Sequence, residues 1–170
     1  MKHWLLLVVS ALVTCNVAFA ETIRFAYQPS LSPDGSQIYF SYDGDIFTVP
    51  SEGGLAKSFV SIGGNENNPI VSPDGKWLAF SSDVQGNSDV YIVPTAGGKA
   101  VQLTYHEASD VPISWSADSK YIHFETTRAS ARKTTFKVAV EGGTPSIMFD
   151  GYFNTVVNLV ENPKTGEYLF

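Results

Sequence analysis

Short apolar runs broken by turn residues dominate the chain from residue 22 onward. Ile38-Tyr39-Phe40, Trp77-Leu78-Ala79-Phe80 and Val90-Tyr91-Ile92-Val93 are typical, with Gly, Pro, Asp, Asn and Ser clustered between such runs. Runs of that length, rich in aromatic and β-branched side chains and bounded by turn formers, predict strands and tight turns rather than helices. Ile23, Phe25 and Tyr27 alternate with Arg24 and Ala26, which predicts a half-buried strand over 22–27. Only the N-terminus departs from this texture, because Trp4 to Phe19 is almost wholly apolar.

The runs repeat. Ser32-Pro33-Asp34-Gly35 recurs forty residues later as Ser72-Pro73-Asp74-Gly75, and a degenerate copy, Ser116-Ala117-Asp118-Ser119, follows after forty-four more. Phe40, Phe80 and Phe124 each lie eight residues past the serine, and Pro29, Pro69 and Pro112 stand just before each copy. Ile46-Phe47-Thr48-Val49-Pro50 matches Val90-Tyr91-Ile92-Val93-Pro94, with a weaker copy at Phe136-Lys137-Val138-Ala139-Val140. Each runs into a glycine pair, Gly53-Gly54, Gly97-Gly98 or Gly142-Gly143. Landmarks that keep their order in three copies define a repeat of about 40 residues, the size of a four-stranded propeller blade.

Turn chemistry assigns the strands within a unit. Pro sets φ, Asp bonds back to the backbone and Gly accepts positive φ, so Pro-Asp-Gly joins an incoming strand to the next. In the second unit, strands are expected over 76–80, 89–93 and 100–104. The middle loop is a two-residue Asp43-Gly44 hairpin in the first unit and lengthens to 126–134 in the third. The units span about 28–62, 68–105 and 111–149, and a fourth begins near Tyr152. Its hairpin at Glu161 to Phe170 puts Phe170 at the aromatic position. The fold expected is therefore all-β, a partial β-propeller of four-stranded antiparallel blades, about three and a half of them. Closed propellers need about four to eight blades, so residues 21–170 are expected to be the N-terminal part of a longer propeller domain. The strand over 22–27 is expected to close its ring as the outer strand of a last blade.

The N-terminus reads as a targeting segment. Lys2 and His3, the apolar stretch and Ala18-Phe19-Ala20 form the parts of a secretory signal peptide over 1–20, cleaved after Ala20. About 16 apolar residues fall short of the ~20 that span a bilayer. Thr14 before Cys15 does not fit a lipidation box. A periplasmic or secreted location follows, without membrane insertion once the leader is removed. Cleavage removes the single cysteine, so no disulfide frames the mature fold. The formal net charge is −6 and basic clusters are lacking, which argues against nucleic acid as a partner.

The repeated pattern resembles the Pro-Asp variety of WD-like repeat, found in TolB, in the propellers of prolyl oligopeptidases and dipeptidyl peptidases, and in tricorn-type proteases. Two stretches are similar to the opening blades of exported tricorn homologues. They are Gln28 to Gly35 followed by Tyr42-Asp43-Gly44-Asp45-Ile46-Phe47-Thr48-Val49-Pro50, and Gln102 to Asp110. The resemblance covers nearly all of residues 28–149. It implies propeller repeats ahead of a PDZ-like module and a C-terminal serine-peptidase domain, with the propeller gating or guiding peptides or unfolded polypeptide. Ala117 and Ser119, and the looser Pro163-Lys164-Thr165-Gly166, depart from the pattern. No position matches the family's catalytic motifs, so no catalytic residue is expected in this chain. The remaining blades and C-terminal domains of the parent are its expected partners. A homo-oligomeric ring is the alternative if the chain ends at Phe170. The competing functions are a TolB-like periplasmic scaffold that binds proteins and the lid of a prolyl-oligopeptidase-type hydrolase.

Site chemistry is sparse. There is no G-x-S-x-G nucleophile elbow. His106 lies in a polar loop beside Glu107 and Asp110, and His123 falls within a strand, where a packed role is expected. Asp34, Asp74 and Asp118 read as turn formers, Asp43-Gly44-Asp45 lacks calcium-loop spacing, and the glycine pairs precede no helix. No metal or cofactor is expected. Arg128, Arg132 and Lys133, in the long loop of the third unit, are the candidates for holding a peptide carboxylate.

Overall fold

A computed structural model describes residues 26–149 and 159–169. The leader at 1–20, most of the strand expected over 22–27, the start of the fourth unit near Tyr152 and the aromatic Phe170 lie outside the described residues. The described residues hold fourteen strands and no helix. The first sheet is β1 (Tyr27–Leu31), β2 (Gln37–Tyr42), β3 (Asp45–Pro50) and β4 (Lys57–Val60). The second is β5 (Asn67–Val71), β6 (Trp77–Ser82), β7 (Asp89–Pro94) and β8 (Val101–Gln102). The third is β9 (Asp110–Trp115), β10 (Tyr121–Thr126), β11 (Thr134–Ala139) and β12 (Ser146–Ile147), and β13 (Val160–Glu161) pairs with β14 (Tyr168–Leu169). Each four-stranded sheet is an antiparallel meander in chain order.

Two details differ from the sequence reading. Tyr27 pairs with Ser41, so it belongs to the first strand of the first sheet and not to a separate strand. The strand expected over 100–104 shrinks to Val101–Gln102. Its neighbours Leu103 and Thr104 turn inward instead, 4% and 1% exposed.

The Ser-x-Asp turn is held by its serine as much as by proline and glycine. Ser32 Oγ donates to Asp34 Oδ1 at 2.5 Å and accepts the Gln37 N–H at 2.9 Å. Ser72 and Ser116 make the same two bonds, to Asp74 and Asp118 and from Trp77 and Tyr121. That explains why the third copy can lose Pro and Gly and still turn. Ser119 takes the glycine's left-handed conformation at φ 61, where Gly35 and Gly75 sit at 73 and 72. At the other end of the first sheet, Asp43 and Gly44 (φ 51 and 84) form the two-residue loop that needs positive φ at both positions.

Packing explains the unbroken apolar runs. Along β6, Leu78 and Phe80 face the first sheet and pack with Tyr39, Ile46 and Val60. Ala79 faces the third sheet and joins Trp115, Ile122, Phe124 and Val138. A strand buried on both faces needs no polar alternation. Phe80 is fully buried, and truncating such a ring to alanine costs about 3–5 kcal/mol.

Candidate functional site

The first strands of the sheets lie side by side and form the inner edge of the array. Tyr27 Oη donates to Asn67 Oδ1 at 2.7 Å, and Gln28 Nε2 donates to Asn68 Oδ1 at 3.0 Å. Trp115 Nε1 reaches across from β9 to the Ile70 carbonyl at 2.9 Å. Pro29 and Pro69 each sit within a register shift, and a third shift lies beside Pro112. These are β-bulges, in which an extra residue bends the strand. The residue before each of the first two prolines is left-handed, Gln28 at φ 53 and Asn68 at φ 54. Tyr27 is exposed along this edge, at 44%, whereas Leu31 holds the repeat position of Val71 and Trp115, which pack against the preceding sheet.

One end of the array carries the β2–β3, β6–β7 and β10–β11 loops, and here the seams between sheets are polar. Glu66 is fully buried, accepts from Ser82 Oγ at 2.9 Å and from the backbone of Ile62 and Gly64, and has its carboxyl pushed above the usual range by burial. Gly64 fits closely, since a Cβ there would lie 2.5 Å from Ser82 Oγ. Asp89, likewise raised by burial, accepts from Thr104 Oγ1 at 3.0 Å and Gln102 Nε2 at 3.1 Å.

Arg128 turns into this seam. Its guanidinium pairs with the fully buried Asp110 and lies 5.2 and 5.4 Å from the ring centres of Phe124 and Phe136. The three cations of the loop therefore take separate roles. Lys133 Nζ pairs with Glu125 at 2.9 Å, while the Arg132 backbone bonds Ser130 Oγ through both its N–H and its carbonyl. His106 closes its own loop, Nδ1 accepting the Ala108 N–H at 2.9 Å.

The opposite end carries the Ser-x-Asp turns. There the degenerate third copy has gained bonds: Ser119 Oγ accepts the Asp74 N–H at 3.1 Å, and Ala117, having an N–H where proline has none, donates to Glu161 Oε2 at 2.9 Å. A cavity of about 430 Å³ lies between the first two turns, lined by Asp34, Tyr39, Asp74 and Thr95 among others. A second, of about 560 Å³, is bounded by Ile70, Ile113, Trp115, Leu159 and Val160.

Ser114 borders that second cavity and lies 2.9 Å from His123 Nδ1. The pair has the form of a nucleophile and a base but not the chemistry. Burial, helped by Lys137, holds the His123 pKa down to about 4, so the ring is too weak a base near neutral pH. Its contact with Tyr168, ring centres 5.7 Å apart, is packing. Among the described residues no cluster of His, Cys, Asp and Glu is arranged to hold a metal. The side-chain bonds between the first strands and between the Ser-x-Asp turns of neighbouring sheets were not foreseen from sequence; they join residues 40 to 45 apart, and only the repeat period hints at them.

Four-stranded meanders set side by side with their first strands innermost define a β-propeller of WD-like blades. Among the described residues it carries seams and an inner edge, without a hydrolytic constellation. The chain belongs to the family described as the tricorn protease N-terminal beta propeller domain, which matches residues 23–159. It is similar to tricorn protease homolog 1 of Streptomyces coelicolor, 27% identical over 142 residues that make up 82% of this chain and 13% of that protein. Among solved structures, TolB from Acinetobacter baumannii superposes with a TM-score of 0.63 at 23% identity, over 75% of this chain and 33% of that one. The tricorn protease does so with a TM-score of 0.58 at 16% identity, over 72% and 14%. These two likenesses are of fold. The chain thus spans only a minor part of these three proteins.

Proposed function

We propose that this chain is the N-terminal propeller segment of an exported tricorn-like serine peptidase, guiding or gating peptide substrates toward a catalytic domain elsewhere in the parent protein. Family membership over residues 23–159 is the observation that carries the reading. The leader pattern over 1–20 supports export, and the purified parent is expected to begin at Glu21. Peptide contact by Arg132 and Lys133 stays within the proposal. Arg128, turned into the seam, is not part of it.

Obstruction of the inner edge tests the reading. Tyr27, exposed on β1, is replaced by cysteine in the full-length parent and coupled to a bulky polyethylene glycol maleimide. Cleavage of unfolded casein should fall about tenfold in kcat/KM, while a chromogenic tetrapeptide stays within about twofold. Equal rates on both substrates with and without the polymer would overturn it. A parent that binds casein and cleaves neither substrate would favour the TolB-like scaffold.

A further inference from the structure

We propose that the inner edge is built to let an unfolded polypeptide pass without being captured as an added strand. The inference rests on the guiding role proposed above and names how the passing chain is met. An exposed sheet edge normally offers a row of N–H and C=O groups, a template on which an extended peptide pairs. For a conduit that is a hazard, because several main-chain bonds would hold the substrate in place.

β5 shows how the hazard is removed, since it has a described neighbour on both sides. Its Asn68 N–H is taken by Gln28 Oε1 at 2.9 Å and its Val71 N–H by Ser30 Oγ at 3.1 Å, both from β1. Its Ile70 carbonyl accepts Trp115 Nε1 from β9. Pro69 has no N–H to offer. The two N–H groups point away from β6, while the Ile70 carbonyl, opposite Ala79 in the β6 ladder, takes the indole as a further partner. The register shift between Asn67 and Ile70 further breaks the regular spacing that an added strand needs. Pro29 holds the matching place in β1, Pro112 stands one residue earlier in β9, opposite Phe124, and proline in a sheet belongs at edges and bulges. A passing chain therefore meets side chains such as Tyr27 and Gln28, and not a ladder.

Uncapping β5 tests this. Gln28→Ala with Ser30→Ala, made together in the full-length parent, frees the N–H groups of Asn68 and Val71. With reduced, carboxymethylated casein, KM should fall about fivefold and kcat should fall with it, because pairing tightens the bound state without aiding chemistry. The tetrapeptide constants should not move. Pro69→Val, which adds an N–H to the same strand, carries the same expectation and is read instead if the double variant loses its thermal transition. Unchanged casein constants in a folded variant would overturn the proposal. So would a raised KM at constant kcat, which would mean that Gln28 and Ser30 grip the substrate themselves. The Tyr27 obstruction separates the two ideas. If the polymer has no effect, the guiding role fails; if it blocks casein but uncapping changes nothing, only this inference fails.

Discussion

His123 occupies the middle of β10 at 1% exposure, bonded to Ser114 and packed edge-on to Tyr168. From sequence it was legible as a strand residue with an expected packing role, but its burial depends on the blade that follows. Its depressed pKa has a thermodynamic consequence. The ordinary value of 6.5 applies to the unfolded chain and about 4 to the folded one, so between those pH values the unfolded chain binds the extra proton. The stability tied to the neutral ring is complete above pH 6.5 and is lost as pH falls toward 4. By pH 5 that loss is on the order of 2 kcal/mol. Glu66 and Asp89 act with the opposite sign, because their raised pKa values favour the folded state at low pH, in a window beginning near the ordinary carboxylate range. Thermal melts of wild type and His123→Gln from pH 7.5 to 5 check this. The wild-type melting temperature should fall more steeply than the variant's, and parallel curves would contradict it.

At the scale of the element, strands and turns could be read from the sequence because both are local. Ser-x-Asp turns, the Asp43-Gly44 hairpin and the doubly buried runs of β6 and β7 all follow from residues within one unit. The β10–β11 loop could not be read in the same way. Arg128, Arg132 and Lys133 look alike in a row, and nothing nearby shows that Arg128 has a buried partner eighteen residues earlier. That pairing, with the guanidinium over Phe124 and Phe136, ties the loop to the seam. Arg128→Ala leaves Asp110 buried without its counter-charge, at a cost of about 3–5 kcal/mol. Removing Asp110 as well should recover part of that loss, with a coupling of about 1–3 kcal/mol in urea unfolding. Strictly additive single-variant losses would show that the pair is not coupled.

At the scale of the whole molecule, the period of the repeat gave the blades, and the third copy's departures from it acquire a reason. Ala117 and Ser119 look like decay of the motif in sequence. In the structure they supply contacts to the fourth and second units that proline and glycine lack. Such seam bonds are invisible to periodicity, which reports what the units share and not what distinguishes them. The inner edge was only half legible: Pro29, Pro69 and Pro112 stood out, but not the side chains that cap β5. The central claim is that an unfolded substrate runs along that edge on its way to the parent's catalytic domain. Placing the photo-crosslinking residue p-benzoylphenylalanine at Tyr27 of the full-length parent, and irradiating during casein turnover, tests it most directly. A covalent casein adduct at this position is predicted, with no adduct when the same residue replaces Leu55, exposed in the loop after β3. Active turnover with no adduct at Tyr27, or equal labelling at both positions, would contradict the account.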